Sequence, residues 1–292
     1  MRRLHGLCAL LLLVLAAASA PAAAQAQPAV WIVRDQDSEM LLFGSIHLLP
    51  PGLDWRPQAL DAALAQADDL WFELPVGPAT DQEAARLAMR LGLLPPGQGL
   101  YERLPEDSRL RLGRLAVKYG VPPNVLDQLK PWFAEVLLVT SMLGAQGADI
   151  AYGVERQVSG AAPPDVRLQA LESVEDQLAA FDDVPMDEQL ASLGYNLQAM
   201  EEDPEAFDRL VGIWMDADLT ALEAEAVTPL KAVAPALYER LIVARNGAWL
   251  ARLQDRLEGS GRTVVVVGAG HLVGEVGLPA RLRALGYQVE GP

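Results

Sequence analysis

The stretch "TVVVVGAGHLVG", Thr263–Gly274, decides the fold. Four consecutive valines are typical of a strand that is buried on both faces at the centre of a sheet, and a Gly-x-x-His sequence follows them and ends at His271. The stretch "LLFGSIHLLP", Leu41–Pro50, repeats this layout, since an apolar run leads into a second Gly-x-x-His that ends at His47. Two strands that each deliver a histidine after their carboxyl end predict an α/β fold with a site at one sheet edge.

Residues 1–26 have the pattern of a secretory signal peptide. Arg2 and Arg3 form a basic start, residues 7–18 form the apolar segment, and Ala24-Gln25-Ala26 matches a small-x-small cleavage site. We therefore expect residues 27–292 to form a single exported domain, either periplasmic or secreted. A membrane-spanning helix needs roughly 20 apolar residues, and no transmembrane segment is expected after cleavage.

Cleavage of this leader would leave few reactive side chains. Cys8 and His5 both lie within residues 1–26, so the mature chain would have no cysteine and only two histidines, His47 and His271. Disulfides and thiolate chemistry are then excluded. Because each remaining histidine ends a Gly-x-x-His sequence, the pair is the first candidate for a functional site.

The charge of the chain argues against a nucleic-acid partner. The formal net charge is −16 at pH 7, and loss of the two leader arginines would bring it to −18. Nucleic-acid binding needs a basic face that neutralises phosphates. We expect no nucleic-acid partner.

The amino-terminal part predicts a βαβ unit. Apolar runs at 29–33 and 40–43 flank a polar segment and predict a hairpin. Residues 56–67 carry apolar side chains three and four positions apart, which predicts a helix. The short apolar strand 70–72 follows and ends at Glu73.

The remaining chain predicts a large helical insert and a carboxyl-terminal βαβ-like part. Strand 263–267, helix 275–285 and strand 287–289 form the carboxyl-terminal part. The insert occupies about 81–258 and contains one further strand, 166–171. Its predicted helices lie near 81–93, 105–119, 131–146, 172–183, 185–201, 203–215 and 230–258. The expected fold class is α/β, with a mixed central β-sheet, flanking helices and this insert.

Polar side chains follow four of the predicted strands, at the sheet edge where ligands gather in open α/β folds. They are His47, Glu73, His271 and Glu172. Glycines beside the histidines suggest backbone roles: Gly44 and Gly268 would allow sharp turns, and Gly270 would let the backbone approach a ligand closely.

Two imidazoles and a carboxylate support two kinds of chemistry. As metal ligands, His47, Glu73 and His271 would leave positions open for water and substrate, and a bound divalent ion lowers the pKa of its water to about 7. Without a metal, one histidine could act as a general base that the carboxylate orients. The residues alone leave both readings open, although the negative charge of the site favours the metal.

A resemblance to a known family rests on these same residues. The motifs are Gly44-Ser45-Ile46-His47, Glu73 within "DDLWFELP", and Gly268-Ala269-Gly270-His271. With them the chain resembles the TraB/GumN family, which includes the Tiki proteases and is related to erythromycin esterase and ChaN. The resemblance extends from Trp31 to Glu290. Further matching stretches are "LESVEDQ" at 171–177, "RNGAW" at 245–249, "GLPARLRALGYQVE" at the end and, with a looser fit, "GADIAYGVERQV" at 147–158.

The resemblance implies a metal-assisted hydrolase, with peptide hydrolysis known for the Tiki branch. His47, Glu73 and His271 are then the expected ligands of a divalent ion, Mn, Co or Zn, and the expected substrate is a peptide or protein. Arg245 and Asn246, within "RNGAW", would orient substrate or stabilise developing negative charge. The roles of Glu172 and Asp149 stay open.

Two other functions compete with the hydrolase. Gly268, Gly270 and Gly274, with Glu290 further on, look like a dinucleotide-binding fingerprint. That reading leaves the first Gly-x-x-His unexplained, and the chain has no strands left to complete such a fold. The stronger alternative is a non-catalytic envelope protein that uses the same cleft to bind a peptide, a haem or a polysaccharide-pathway partner.

Overall fold

The computed structural model describes residues 26–292, so the predicted signal peptide lies outside it apart from Ala26. Six strands of this part of the chain form one sheet, in the order β4-β3-β5-β2-β1-β6. β2, β5, β3 and β4 run parallel, whereas β1 pairs antiparallel with both β2 and β6. The strands are β1 Val30–Arg34, β2 Ser38–Ser45, β3 Asp69–Phe72, β4 Arg167–Ala170, β5 Gly261–Gly268 and β6 Gln288–Glu290.

Helices surround this sheet, and the predicted α/β class with a mixed sheet is confirmed. The α-helices are α1 Gln58–Leu64, α2 Pro78–Leu91, α3 Glu106–Lys118, α4 Pro123–Leu126, α5 Pro131–Ala145, α6 Val154–Ala161, α7 Val174–Asp182, α8 Met186–Glu202, α9 Ala206–Met215, α10 Leu219–Leu222, α11 Thr228–Val233, α12 Pro235–Tyr238, α13 Arg245–Leu257 and α14 Leu278–Ala284. Short 3₁₀ turns lie at Ile150–Tyr152 and Ala269–His271, and π-helical turns at Glu223–Val227 and Glu239–Ala244.

The valine run of β5 forms the centre of the sheet because both of its faces are covered. Val264 and Val266 pack in the core that α1, α6 and α9 cover. Val265 and Val267 pack on the opposite face, under α13 and α14. All four valines are at most 1% exposed, as a strand covered by helices on both faces requires.

The helical insert has a hydrophobic core of its own. Helices α3, α5 and α8 meet around Leu112, Leu138 and Leu197, each at most 1% exposed. Strand β4 returns the chain from the insert to the sheet, where it pairs with β3. Within residues 26–292, the helices include none of the length and apolar character needed to cross a bilayer.

The predicted helix 230–258 is wrong as a continuous element. The backbone leaves the helical region at Ala234, where φ is −140° and ψ is 75°, because a proline disfavours the helical conformation of the residue before it. Helix α12 then starts with Pro235 in its first turn, and a π-helical turn connects it to α13. The predicted helix 275–285 begins later, at Leu278, and α6 was not predicted.

The expected roles of the glycines also need correction. Gly44 lies inside β2, opposite Val267 of β5, and does not form a turn. The φ of Gly268 is −50°, which is open to any residue. Gly270 lies near Val227, at an ordinary contact distance for an added Cβ. Gly44 is required for another reason: a Cβ there would lie 3.1 Å from the Cα of Ala269, in the turn that carries His271.

We expect Gly44→Ala to destabilise the protein by about 1–3 kcal/mol, because the added methyl group overpacks the contact with Ala269. Gly113→Ala is the matched control, since Gly113 lies within α3 and an added Cβ meets nothing within 4 Å. The control should gain about 0.5–1 kcal/mol from its better helix propensity. Urea unfolding of both variants measures the difference, and a Gly44→Ala protein as stable as wild type would contradict the close packing.

Candidate active site

The parallel strands bring the candidate residues to one edge of the sheet. β5 lies between β2 and β3, with Ser45 opposite Gly268 and Phe72 opposite Val266. His47 therefore follows β2, Glu73 follows β3, and His271 lies in the turn after β5. The carboxyl ends of the parallel strands therefore bring these side chains together, as the sequence predicted.

Gly268 marks the point on which the three side chains converge. A Cβ added there would lie 3.2 Å from Oε1 of Glu73, 3.6 Å from Cδ2 of His271 and 3.7 Å from Nε2 of His47. The glycine also donates its N–H to Oε1 of Glu73, at 2.6 Å. A side chain at this position would crowd all three groups, so Gly268 has the close-approach role that the sequence had suggested for Gly270.

Asn246 fixes the tautomer of His271. The amide nitrogen of Asn246 donates to the carbonyl oxygens of His271 and Val276, at 3.2 and 2.9 Å. Its Oδ1 is therefore the acceptor for Nδ1–H of His271, at 2.7 Å. The proton of the neutral ring then lies on Nδ1, and the lone pair of Nε2 points into the site.

His271 is held in this neutral form. Burial disfavours the charged ring and lowers its pKa to about 4, although the carboxylate of Glu73 acts in the opposite direction. His271 is 5% exposed, and its Nε2 lies 3.8 Å from Oε1 of Glu73. The indole of Trp249 covers the ring, with the two ring centroids 4.5 Å apart.

Arg245 links the other groups through all five of its N–H donors. Its Nη2 donates to Glu73 and to Glu172, both at 2.7 Å, and its Nε donates to Glu172 at 3.1 Å. Its Nη1 donates to the carbonyl oxygen of Leu241 and contacts Nε2 of His271, both at 3.1 Å. No donor of this guanidinium is left over for another acceptor in the described arrangement.

Glu73 is an ionised carboxylate despite its burial. Burial alone would raise its pKa, but electrostatic interactions with His271, Arg245 and His47 lower the pKa to about 2. Its Oε2 accepts from Arg245 and also from Gln177, at 3.1 Å. Gln177 belongs to the "LESVEDQ" stretch, although the sequence gave no reason to single it out.

Glu172 is part of the same cluster. It follows β4, and its backbone N–H donates to the carbonyl oxygen of Glu73 at 2.9 Å. Its carboxylate accepts from Arg245 and from the indole N–H of Trp249, at 3.0 Å. Burial raises the pKa of Glu172 while Arg245 opposes the shift.

His47 has a partner that the sequence analysis missed. Its Nδ1 lies 2.7 Å from Oε1 of Glu155, in the first turn of α6, and Ser45 hydrogen-bonds to the same oxygen. The charge of Glu155 raises the pKa of His47 to about 9. Gly153, two residues before Glu155, allows this close approach, because a Cβ there would overlap the carbonyl oxygen of His47.

Asp149 lies outside this cluster. Its side chain accepts from the backbone N–H of Ala151 at 2.7 Å and caps the following 3₁₀ turn. Its backbone pairs with Leu49 as an isolated bridge. Of the two residues left open, Glu172 therefore joins the cluster around Arg245, and Asp149 does not.

A cleft of about 230 Å³ opens beside His47 and Glu73. Pro75, Val76 and Ile150 supply apolar walls. Glu155 and Gln177 also line the cleft, so the groups that position His47 and Glu73 form its polar end. The cleft gives a ligand access to both residues.

The glycine-rich stretch does not form a dinucleotide site. After β5 the chain makes the 3₁₀ turn Ala269–His271, and α14 begins only at Leu278. A dinucleotide site needs the helix amino terminus directly beside the glycines, where it binds the pyrophosphate. That geometry is absent from this part of the described chain.

Comparison with known proteins agrees with the motifs and the fold. The model of the TraB/PrgY/gumN family matches residues 29–291. This chain belongs to that family. Two relatives of this TraB/PrgY/gumN member carry the name uncharacterized protein YbaP, from Escherichia coli (strain K12) and Shigella flexneri. Each is 28% identical over 257 residues, which cover 88% of this chain and 92% of the relative. No solved structure matches the chain significantly.

The donor set of the family member fits a divalent metal ion in chemistry. Glu73 and His271 also fit in protonation, whereas His47, with a pKa of about 9, must first release a proton. Glu73 is ionised, His271 presents an unprotonated Nε2, and no hydrogen bond engages Nε2 of His47 within residues 26–292. The arrangement is not yet that of ligands, since among these residues no three such side chains are placed to hold an ion. Arg245 already bonds to His271 Nε2 and Glu73 Oε2, so coordination by His271 requires this guanidinium to turn away.

The two histidines should titrate at opposite ends of the pH range in metal-free protein. We expect NMR of residues 27–292 to give a pKa near 9 for His47 and near 4 for His271. Glu155→Gln should lower the first value toward its ordinary 6.5, because the opposing charge is removed, and should leave the second unchanged. Equal pKa values for the two histidines would contradict the assigned environments.

The same shifts predict two pH limits of folding stability. The raised pKa of His47 stabilises the fold fully below about 6.5, and this contribution is lost as the pH rises through about 9. The lowered pKa of His271 sets the acid limit. Stability is lost as the pH falls from about 6.5 to about 4, because the unfolded chain then binds a proton that the folded protein does not. Urea unfolding across this range measures both losses, and Glu155→Gln should diminish only the alkaline one.

Proposed function

We propose that the protein is an exported hydrolase, assisted by a divalent metal ion, that acts on peptide or protein. The observation that carries the proposal is the convergence of His47, Glu73 and His271 on Gly268. Two Gly-x-x-His sequences, more than 200 positions apart, thereby contribute to one site. Membership of the family and the resemblance to the Tiki proteases support the choice of reaction.

The protonation states of Glu73 and His271 favour metal ligands over a general acid–base pair. A general base works best when its pKa lies near the operating pH, whereas the pKa of Glu73 is about 2 and that of His271 about 4. Both groups are therefore weak bases at neutral pH, but both are already deprotonated, as metal ligands must be. His47, whose pKa is about 9, would release its proton on binding the ion. A divalent ion bound here, Mn, Co or Zn, would supply an activated water at neutral pH.

The neighbouring side chains then position the ligands. Glu155 hydrogen-bonds to Nδ1 of His47 and leaves Nε2 for the site, and Asn246 does the same for His271. Hydrogen bonds to the second ring nitrogen are typical of metal-binding histidines. Because Asn246 is 0% exposed, it acts on the reaction only through His271.

Arg245 holds Glu73 and Glu172 in the same way. The sequence predicted that this arginine would orient substrate or stabilise negative charge, and that role stays a prediction. Its five donors are engaged by the chain, so contact with substrate would require one of these bonds to be exchanged. The cleft beside His47 has room and apolar walls for a side chain of a peptide.

A non-catalytic binding protein is the competing function. The observation in its favour is Arg245, which already satisfies the Glu73 carboxylate and His271 Nε2. The same cleft would then bind a peptide, a haem or a polysaccharide-pathway partner without turnover. Metal binding and turnover separate the two functions.

The metal assignment predicts about one equivalent of Mn, Co or Zn per mature chain after incubation and desalting. This is the amount expected for a site that holds one ion and keeps a coordination position open for water. His47→Ala and His271→Ala should each lose it, whereas Asp149→Asn should retain it, because Asp149 lies outside the cluster. Metal analysis of the folded proteins measures this. Wild-type protein that retains no metal would refute the ligand assignment.

The hydrolase assignment predicts a defined peptide cleavage that depends on Glu73. Mass spectrometry of a mixture of unstructured peptides should show products with metal-loaded wild type. Glu73→Gln should slow their formation by at least about 10- to 100-fold, the loss typical even of residues that only support a metal ligand. Asp149→Asn is again the matched control and should cleave at the wild-type rate. Metal-loaded wild type that cleaves nothing in the mixture would favour the non-catalytic binding protein.

A further inference from the structure

A second cavity, of about 280 Å³, lies in the helical insert. Helices α5 and α8 form one side, and the segment from the π-helical turn Glu223–Val227 to Leu241 forms the other. It shares no lining residue with the cleft beside His47. The inference below is therefore independent of the proposed hydrolase function.

Glu135 of α5 places a carboxylate at this cavity without a cationic partner. Its Oε1 accepts from Asn196 at 2.7 Å and from Ser192 at 3.2 Å. Within residues 26–292, no hydrogen bond reaches its Oε2, and no lysine or arginine lines the cavity. Burial raises the pKa of Glu135 to about 7, since no opposing charge compensates for the lost hydration.

Gln189 adds a second acceptor without a partner. Its amide nitrogen donates to the carbonyl oxygen of Val184 at 2.8 Å, which assigns the other amide position to Oε1. Gln189 lines the cavity and is 3% exposed, and its Oε1 has no hydrogen-bond partner in the described chain. Buried acceptors are rarely left unpaired in native proteins, so a missing donor is expected nearby.

Much of the remaining wall is apolar and partly aromatic. Trp132 and Phe181 stack with their ring centroids 5.8 Å apart, and the indole N–H of Trp132 is bound to Asp182. Leu230 and Leu237 also line the cavity. Such walls suit the hydrocarbon part of a ligand, and aromatic faces also attract a cation.

We propose that this cavity binds a small organic cation, with an ammonium group that donates to Glu135 and Gln189 and an apolar body that lies against Trp132 and Phe181. An ammonium supplies the donors that both acceptors lack and the positive charge that Glu135 lacks. An anion is disfavoured, because the carboxylate of Glu135 has no cationic partner and would repel it. The volume suits a ligand of one ring or a short chain.

The probe for this site is 2-phenylethylammonium, compared with 2-phenylethanol, which has the same body without the charge. Isothermal titration above the pKa of Glu135 should show saturable binding of the cation and much weaker binding of the alcohol. Glu135→Gln should weaken binding of the cation by about 10- to 100-fold, the size expected for loss of a hydrogen bond to a charged group.

A pair of matched variants tests the location. Ala226 is exposed and lines the cavity, so Ala226→Trp should block binding without disturbing a core. Ala224 is exposed in the same π-helical turn but does not line the cavity, and Ala224→Trp should bind as wild type does. The proposal is overturned if wild type does not bind the cation, if the alcohol binds equally well, or if Glu135→Gln or Ala226→Trp binds with unchanged affinity.

Discussion

The buried guanidinium of Arg245 is the interaction on which the site depends. It lies between Glu73 and Glu172, two carboxylates whose side chains are each 8% exposed, and it contacts His271 as well. Two buried negative charges of this kind are tolerable only when a cation with matching geometry satisfies them. The planar guanidinium does so because it presents several donors in fixed directions.

This ion cluster is possible because of the order of the strands. The carboxyl ends of β3 and β4 place Glu73 and Glu172 side by side, and β5 between β2 and β3 adds His271 and then His47. Helix α13 supplies Arg245, Asn246 and Trp249 from one face of the sheet. Each element therefore contributes to both the packing of the sheet and the geometry of the site. Glycine stands where segments approach most closely, at Gly44 beside Ala269 and at Gly268 beside Glu73.

The two histidines have the same sequence motif but opposite electrostatic environments. His47 faces Glu155 at the open side of the cleft, with 58% of its side chain exposed, whereas His271 lies under Trp249 and beside Arg245. A neighbouring carboxylate favours an imidazolium, and burial beside a cation favours the neutral ring. The motif itself carries no information on this difference, because the decisive partners come from α6 and α13.

The sequence by itself determined the strands, most of the helices and the main members of the candidate site. Local periodicity is enough to predict the valine strand and the alternation of strand and helix. The repeated Gly-x-x-His then predicts a shared site, because parallel strands have their carboxyl ends at the same edge of the sheet. Only the tertiary structure decided which partners those residues meet. Glu155, Gln177 and the strand order depend on contacts between segments that are about 100 or more positions apart. Such contacts follow from how the whole core packs, and a local pattern of residues does not encode them.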